Sequence, residues 1–158
     1  MFGTILGIPA HPLLIHAAVV FIPLLIVGAI VYAAWPPFHP RIGWAVTALA
    51  IIAPIAALFA KLSGENLRDQ LIAKKLTSPE ILSKIAQHNS YGNSTWWWTL
   101  ALGILTLVLV AYVWQRKSAP GAGVRIGATV LMLVVGGIVG YYVFRTGDTG
   151  AHMVWQGI

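Results

Sequence analysis

Four long apolar stretches alternate with short polar segments along the chain, and this alternation predicts its secondary structure. The stretches cover residues 12–35, 42–60, 95–114 and 126–144, and none of them contains Asp, Glu, Lys or Arg. Each is about as long as the roughly 20 residues that an α-helix needs to cross the hydrocarbon core of a bilayer. The pattern therefore predicts four membrane-spanning helices, and we expect residues 1–158 to form a single membrane domain.

The one long polar segment, residues 62–88, has a helical pattern of its own. Leu67 and Leu71 stand four residues apart among charged residues, which is typical of an amphipathic helix in the headgroup layer. Ser78-Pro79-Glu80 then combines a capping hydroxyl, a proline and an acid, the usual start of a helix. We expect an all-α integral membrane four-helix bundle with a short amphipathic interfacial helical segment between helices 2 and 3.

Composition supports a membrane protein and excludes several kinds of cofactor site. The 158 residues are 58% hydrophobic and 9% charged, whereas about a quarter of the residues in soluble domains are charged. No cysteine is present, which excludes disulfides, iron–sulfur clusters and thioether-attached haem. The net charge of +6 comes from loop residues, which favours anionic lipid rather than nucleic acid as partner. No basic segment precedes the first stretch, so we expect no cleaved signal peptide.

Most of the histidines fall on one side of the predicted bundle. Four spans place the N-terminus, the second loop and the C-terminus on the same side, and these segments hold His11, His16, His88 and His152. His39 lies opposite and is expected to be structural. The two tight loops carry basic residues without acids, namely Arg41, Arg116, Lys117 and Arg125. The positive-inside rule therefore favours tight loops in the cytoplasm and both termini outside.

Three of these histidines are the candidate ligands. His16 lies about one turn inside an apolar helix, where it needs a hydrogen-bonding neighbour or a metal. His88 precedes the third span at the same membrane face. Two histidines from different helices at one level suit a bis-histidine haem b. His11 precedes Pro12, which disfavours helical backbone, so its ring can bend over the helix mouth. Two alternatives remain. The site binds copper, or it binds no cofactor and His16 is hydrogen-bonded to a neighbouring hydroxyl or carbonyl.

The C-terminal segment offers a weaker site. His152 and Met153 supply a nitrogen and a thioether, a pair that suits copper, and Asp148 could orient a histidine ring. The alternative is a polar tail that rests on the membrane surface.

No catalytic residues are identified, because the chain lacks a phosphate-binding loop, a dinucleotide-binding glycine motif and a paired acid motif. We expect a non-catalytic accessory or electron-transfer subunit of a membrane redox complex. The alternative is a structural or assembly subunit without cofactor. Gly136 and Gly140 form a small-xxx-small pair, which predicts close approach of a helix from another membrane subunit.

Several short motifs together resemble the DUF2231 family of small four-helix bacterial membrane proteins. They are His11-Pro12 followed by His16, Gly64-Glu65 after the second span, His88 before the third, and the ending Tyr142–Ala151 followed by Val154-Trp155. The resemblance covers nearly the whole chain and implies a multi-pass protein of the bacterial cytoplasmic (inner) membrane. It singles out His11, His16 and His88 but names no reaction. In that family a histidine often stands where this chain has Asp148, so the resemblance gives the tail no ligand role.

Overall fold

The structure is a computed structural model that describes residues 4–5, 8–74, 78–116 and 120–155. It opens with a two-residue antiparallel pair, β1 (Thr4–Ile5) and β2 (Ile8–Pro9). Four long helices follow, α1 (Ala10–Ala34), α2 (His39–Ala73), α3 (Pro79–Arg116) and α4 (Ala122–Trp155), with a 3₁₀ turn at Pro36–Phe38. All four are long and apolar enough to span a membrane, which confirms the predicted all-α membrane bundle.

Local sequence explains where these helices begin and end. Pro36 and Pro37 directly after Trp35 stop α1, because proline cannot donate the next helical hydrogen bond. The predicted cap of α3 is present, since the Ile81 amide donates to the Ser78 hydroxyl at 3.3 Å. Pro23 in α1 and Pro54 in α2 lie inside helices, a placement that neighbouring helices make tolerable in membranes.

The polar segment between the second and third spans differs from its prediction. Residues 62–73 are the end of α2 and residues 79–88 are the beginning of α3. The segment is helical, and Pro79 starts a helix as predicted, but its residues continue α2 and begin α3 instead of forming short helices of their own. The reason is that nothing in the sequence around Lys61 breaks the helix, so α2 continues past its apolar part.

The helices form a square in which chain neighbours are also spatial neighbours. Helix α1 packs on α2 and α4, helix α3 packs on the same two, and α1 and α3 lie across a diagonal. Fully buried side chains such as Leu25, Leu102 and Val139 fill the centre, while large apolar residues such as Val27 and Val108 are exposed. An apolar exterior around an apolar core is what a bilayer requires of a spanning bundle.

One end of the bundle projects beyond the apolar zone. Helix α3 has 38 residues, a length of about 57 Å, whereas the hydrocarbon core is about 30 Å thick. Exposed tryptophans at both ends of its apolar part, Trp97 and Trp114, mark the interfaces. We therefore expect the residues of α3 before Trp97 to lie in the headgroup region or beyond it, together with the polar ends of α2 and α4.

The two glycines of the predicted docking face on α4, Gly136 and Gly140, lie in different surroundings. Gly136 is buried, and a Cβ added there would lie 3.0 Å from Cγ2 of Ile26 on α1. A Cβ at Gly140 would meet no atom within 4 Å. The prediction that Gly136 and Gly140 together receive another subunit was therefore wrong for Gly136. The helix that approaches it closely belongs to the same chain, because a small residue serves internal packing as readily as association.

Candidate functional site: two histidines at the polar end

His11 is held at the start of α1 by a serine of α2. Its Nδ1 lies 2.9 Å from the Ser63 hydroxyl, and that hydroxyl donates to the Ala60 carbonyl at 2.8 Å. Ser63 is only 1% exposed, so its hydroxyl needs both hydrogen bonds. The polar end of α2, which continues past the apolar stretch, is what brings Ser63 to the histidine.

His88 is held in the same way by a threonine of α4. Its Nδ1 lies 3.0 Å from the Thr149 hydroxyl, which donates to the Arg145 carbonyl at 2.8 Å. His88 is half-buried near the start of α3, and Thr149 lies near the end of α4.

The hydrogen bonds of the two hydroxyls to the backbone favour one tautomer of both rings. A carbonyl oxygen can only accept, so the Ser63 and Thr149 hydroxyl protons point to the backbone. Each hydroxyl oxygen then accepts from a histidine Nδ1–H, and the lone pair of each ring is left on Nε2. Nε2 of a neutral imidazole is a common metal-ligand atom, and a hydrogen bond at Nδ1 is the usual way to orient it.

A glycine lies against each imidazole and leaves room for it. A Cβ at Gly64 would be 2.9 Å from Cε1 of His11, and a Cβ at Gly150 would be 3.2 Å from Cε1 of His88. Any side chain at these positions would press on the ring. Each ring is therefore held by a hydroxyl–glycine pair of the next helix.

The two halves of the bundle repeat this arrangement. His11 with Ser63-Gly64 joins α1 to α2, and His88 with Thr149-Gly150 joins α3 to α4. Helices α1 and α3 run in the same direction and lie across the diagonal of the square, so the two units occupy corresponding places in the bundle. A ligand between the two units would meet one imidazole from each half.

The electrostatics favour a neutral ring at His11, which precedes the span Leu13–Ala34. Burial lowers the pKa of His11 below 6.5, and the nearby His88 lowers it further, while a hydrogen bond to the Ala60 carbonyl opposes both. A neutral imidazole is the form that can ligate a metal.

The lowered pKa of His11 predicts acid sensitivity. The folded chain binds fewer protons at this ring than the unfolded chain, so its stabilising contribution is complete above about pH 6.5 and decreases as the pH falls. We expect the melting temperature in detergent to fall between about pH 7.5 and about pH 5, and to fall less in His11→Asn. His152→Asn, at an exposed histidine, serves as the control. Parallel profiles for wild type and His11→Asn would contradict the assignment.

The other predicted histidines lie in different surroundings. His16 is exposed on the outer face of α1, whereas His11 and His88 are half-buried. His152 is exposed and donates through Nδ1 to the Asp148 carbonyl at 2.8 Å, with the Asp148 carboxylate 3.4 Å away. His39, at the opposite end, stacks on Tyr32 and donates to its carbonyl at 2.8 Å, as expected of a structural residue.

The supporting residues of the two histidines were missed from the sequence. Ser63 and Thr149 are unremarkable in isolation, and only their position directly before Gly64 and Gly150 could have singled them out. Within residues 4–5, 8–74, 78–116 and 120–155, no group of three or more His, Cys, Asp or Glu is arranged around a metal position. A metal at this site would therefore take two ligands from the imidazoles and the rest from other molecules or a macrocycle.

Comparison with known proteins supports the resemblance seen in the motifs. Searches of curated proteins and of solved structures gave no match. A family model described as "Predicted membrane protein (DUF2231)" matches residues 7–157, which includes all four helices and both histidine units. The chain is a multi-pass membrane protein, and it belongs to the DUF2231 family.

Proposed function

We propose that this protein binds haem b or a single transition-metal ion through Nε2 of His11 and Nε2 of His88, as a non-catalytic accessory or electron-transfer subunit of a membrane redox complex. The observation that carries the proposal is the duplicated unit in which a hydroxyl–glycine pair orients one imidazole from each half of the bundle. The proposal keeps His88 and His11 from the sequence-based set and gives His16 no ligand role.

The chemistry of the two rings supports this ligand class. A bis-imidazole centre needs two neutral rings whose free nitrogens are presented from different structural elements. Hydrogen bonds from Nδ1 to a hydroxyl fix ring orientation and raise the basicity of the ligating nitrogen. When bound, haem or copper would supply a one-electron redox couple, and the chain would supply the two nitrogens and their orientation.

The position of the site fits electron exchange at a membrane surface. His88 is nine residues before Trp97, about 14 Å along the helix, so it lies near the headgroups rather than at the bilayer centre. We infer that this end faces the periplasm of a bacterial cytoplasmic (inner) membrane. The opposite end carries Arg41, Arg116 and Arg125, as expected of a cytoplasmic face.

The test is the visible spectrum and the metal content of the protein purified in detergent from a bacterial host supplied with iron and copper. We expect either a pyridine haemochrome or about one metal ion per chain, and loss of that signal in His11→Ala and in His88→Ala. His152→Ala, which removes an exposed histidine, should retain it. A folded wild-type protein that is both colourless and metal-free would overturn the proposal, and loss of the signal in His16→Ala but not in His11→Ala would overturn the pairing.

A further inference from the structure

A groove runs along the outer surface between α3 and α4. Its apolar part has a volume of about 590 Å³ and is bounded by Trp98, Val134, Ile138 and Tyr141, with Gly137 in the lining. A Cβ at Gly137 would meet no atom within 4 Å. The groove is therefore open to a chain-like apolar molecule on the lipid-facing surface.

A polar hollow lies on the same faces of the two helices, nearer their extramembrane ends. It has a volume of about 270 Å³ and is lined by Lys84 and Gln87 from α3 and by Arg145, Asp148, Thr149, His152 and Met153 from α4. On α4, Val134, Ile138, Tyr141 and Arg145 follow at helical spacings of four, three and four, so they share one face. The apolar groove and the polar hollow therefore lie along the same face of α4, with the polar hollow nearer the end of the helix.

Arg145 lies in the polar hollow, and its contacts leave part of its hydrogen-bonding capacity unused. Its Nη2 donates to the Tyr91 hydroxyl at 3.0 Å, and its guanidinium lies 5.0 Å from the Tyr91 ring centroid. Its Nε is buried, and among the described residues it has no hydrogen-bond partner. In the part of the chain that the structure describes, no carboxylate oxygen lies within 4 Å of the Arg145 nitrogens. Asp148 lines the same hollow, but its carboxylate lies 3.4 Å from Nδ1 of His152, and the Glu80 carboxylate lies 3.3 Å from Nζ of Lys84. The guanidinium retains both charge and hydrogen-bonding capacity for an anion.

The repeat shows that this arginine is not needed to hold a histidine. Tyr91 comes three residues after His88, and the matching position after His11 is Leu14. Arg145 comes five residues before Gly150, and the matching position before Gly64 is Phe59. The α1–α2 unit orients its histidine with apolar residues at both places. The Tyr91–Arg145 pair therefore has a separate role in the α3–α4 half.

We propose that the α3–α4 groove binds one anionic phospholipid, with an acyl chain along Gly137 and the phosphate on Arg145. Charge complementarity carries the choice of occupant, since Arg145 makes no ion pair within 4 Å among the described residues and lies at the headgroup end of an otherwise apolar groove. The one carboxylate that lines the hollow, Asp148, lies 3.4 Å from His152. A basic pocket between membrane helices at the interface is a typical site for an anionic headgroup. The hollow adjoins the histidine site, since Thr149 lines it and contacts His88, but the proposal does not require a ligand on His88.

The test is native mass spectrometry of the detergent-purified full chain titrated with phosphatidylglycerol or with phosphatidylcholine of the same acyl chains. We expect wild type to favour phosphatidylglycerol, and Arg145→Gln to weaken its binding about fivefold. Arg125→Gln, which removes the same charge from an exposed residue at the other end, is the matched control. Equal phosphatidylglycerol binding by wild type and Arg145→Gln, or an equal loss in Arg125→Gln, would overturn the proposal.

A second pair of variants tests the apolar part of the groove. Its outcome does not depend on whether Arg145→Gln folds. Gly137→Phe should fill the groove and weaken the binding of both lipids. Gly127→Phe, at an exposed glycine of α4 with open space around it, should leave binding unchanged. Unaltered binding in Gly137→Phe would contradict the acyl-chain assignment. Displacement of phosphatidylglycerol by inorganic phosphate would also contradict it, because an anion alone would then suffice.

Discussion

Replacement of Gly103 by alanine is expected to destabilise the bundle by about 2 kcal/mol or more. Gly103 lies where α3 crosses α2, and a Cβ there would be 2.6 Å from the Ala50 carbonyl oxygen and 3.0 Å from Cγ of Pro54. Backbone and a proline ring cannot rotate away as a flexible side chain can, so the two helices must separate. Separation would open the contact around Leu102, which is fully buried.

A loss of stability in Gly103→Ala is informative, because the higher helix propensity of alanine alone would stabilise the variant. Alanine favours an exposed helix over glycine by about 1 kcal/mol, so a methyl group without a clash is neutral or stabilising. Gly127→Ala provides that control, since a Cβ at Gly127 meets nothing within 4 Å. The measurement is the melting temperature of both variants in the same detergent. Equal melting temperatures for Gly103→Ala and wild type would show that α2 and α3 are not in close contact.

Valine at Gly64 or at Gly150 is expected to weaken ligand binding at the histidine site by about tenfold or more. At Gly64 the new Cβ would lie 2.9 Å from Cε1 of His11, and at Gly150 it would lie 3.2 Å from Cε1 of His88. Each ring would have to turn, which breaks its hydrogen bond to Ser63 or Thr149 and misaligns Nε2. The quantity to measure is the affinity for haem or copper of the protein purified without ligand.

Gly147→Val is the matched control for these variants. Gly147 lies on α4 three residues before Gly150, and a Cβ there meets no atom within 4 Å. Its affinity should equal that of the wild type, and all three variants should retain a cooperative melting transition. If Gly64→Val and Gly150→Val bind as tightly as Gly147→Val, the glycines do not position the imidazoles. Because the two units are repeats, a loss in only one of the variants would show that the ligand does not lie between them.

The sequence predicted the helical parts of the fold well and the polar segment less well. Charge-free stretches of about 20 residues admit few structures in a bilayer, so the four spans could be assigned without coordinates. The first half of residues 62–88 contains one glycine, Gly64, and no proline. Helix α2 continues through Gly64. Amphipathic spacing indicates a helix but does not say whether that helix continues from its neighbour.

The location of the histidines at one end of the bundle could be predicted, because it depends on the topology alone. An even number of spans places His11, His16 and His88 at one membrane face whatever the packing. The choice between His11 and His16 depends on the rotation of α1 about its axis. Five residues along a helix turn about 500°, so only one of the two can point to the bundle interior. The sequence favoured His16 because it is surrounded by apolar residues, but a lipid-facing helix surface is apolar as well.

The sequence by itself determined that the chain crosses a membrane four times, which end holds the histidines, and that cysteine chemistry is excluded. These properties depend on composition and span number, which are independent of how the helices pack. Only the tertiary structure decided that His11 faces the interior, that Ser63 and Thr149 orient the two rings, and that Gly136 serves the contact with α1. Those contacts join residues more than 50 positions apart, and they depend on helix rotation and crossing, which local sequence patterns do not encode.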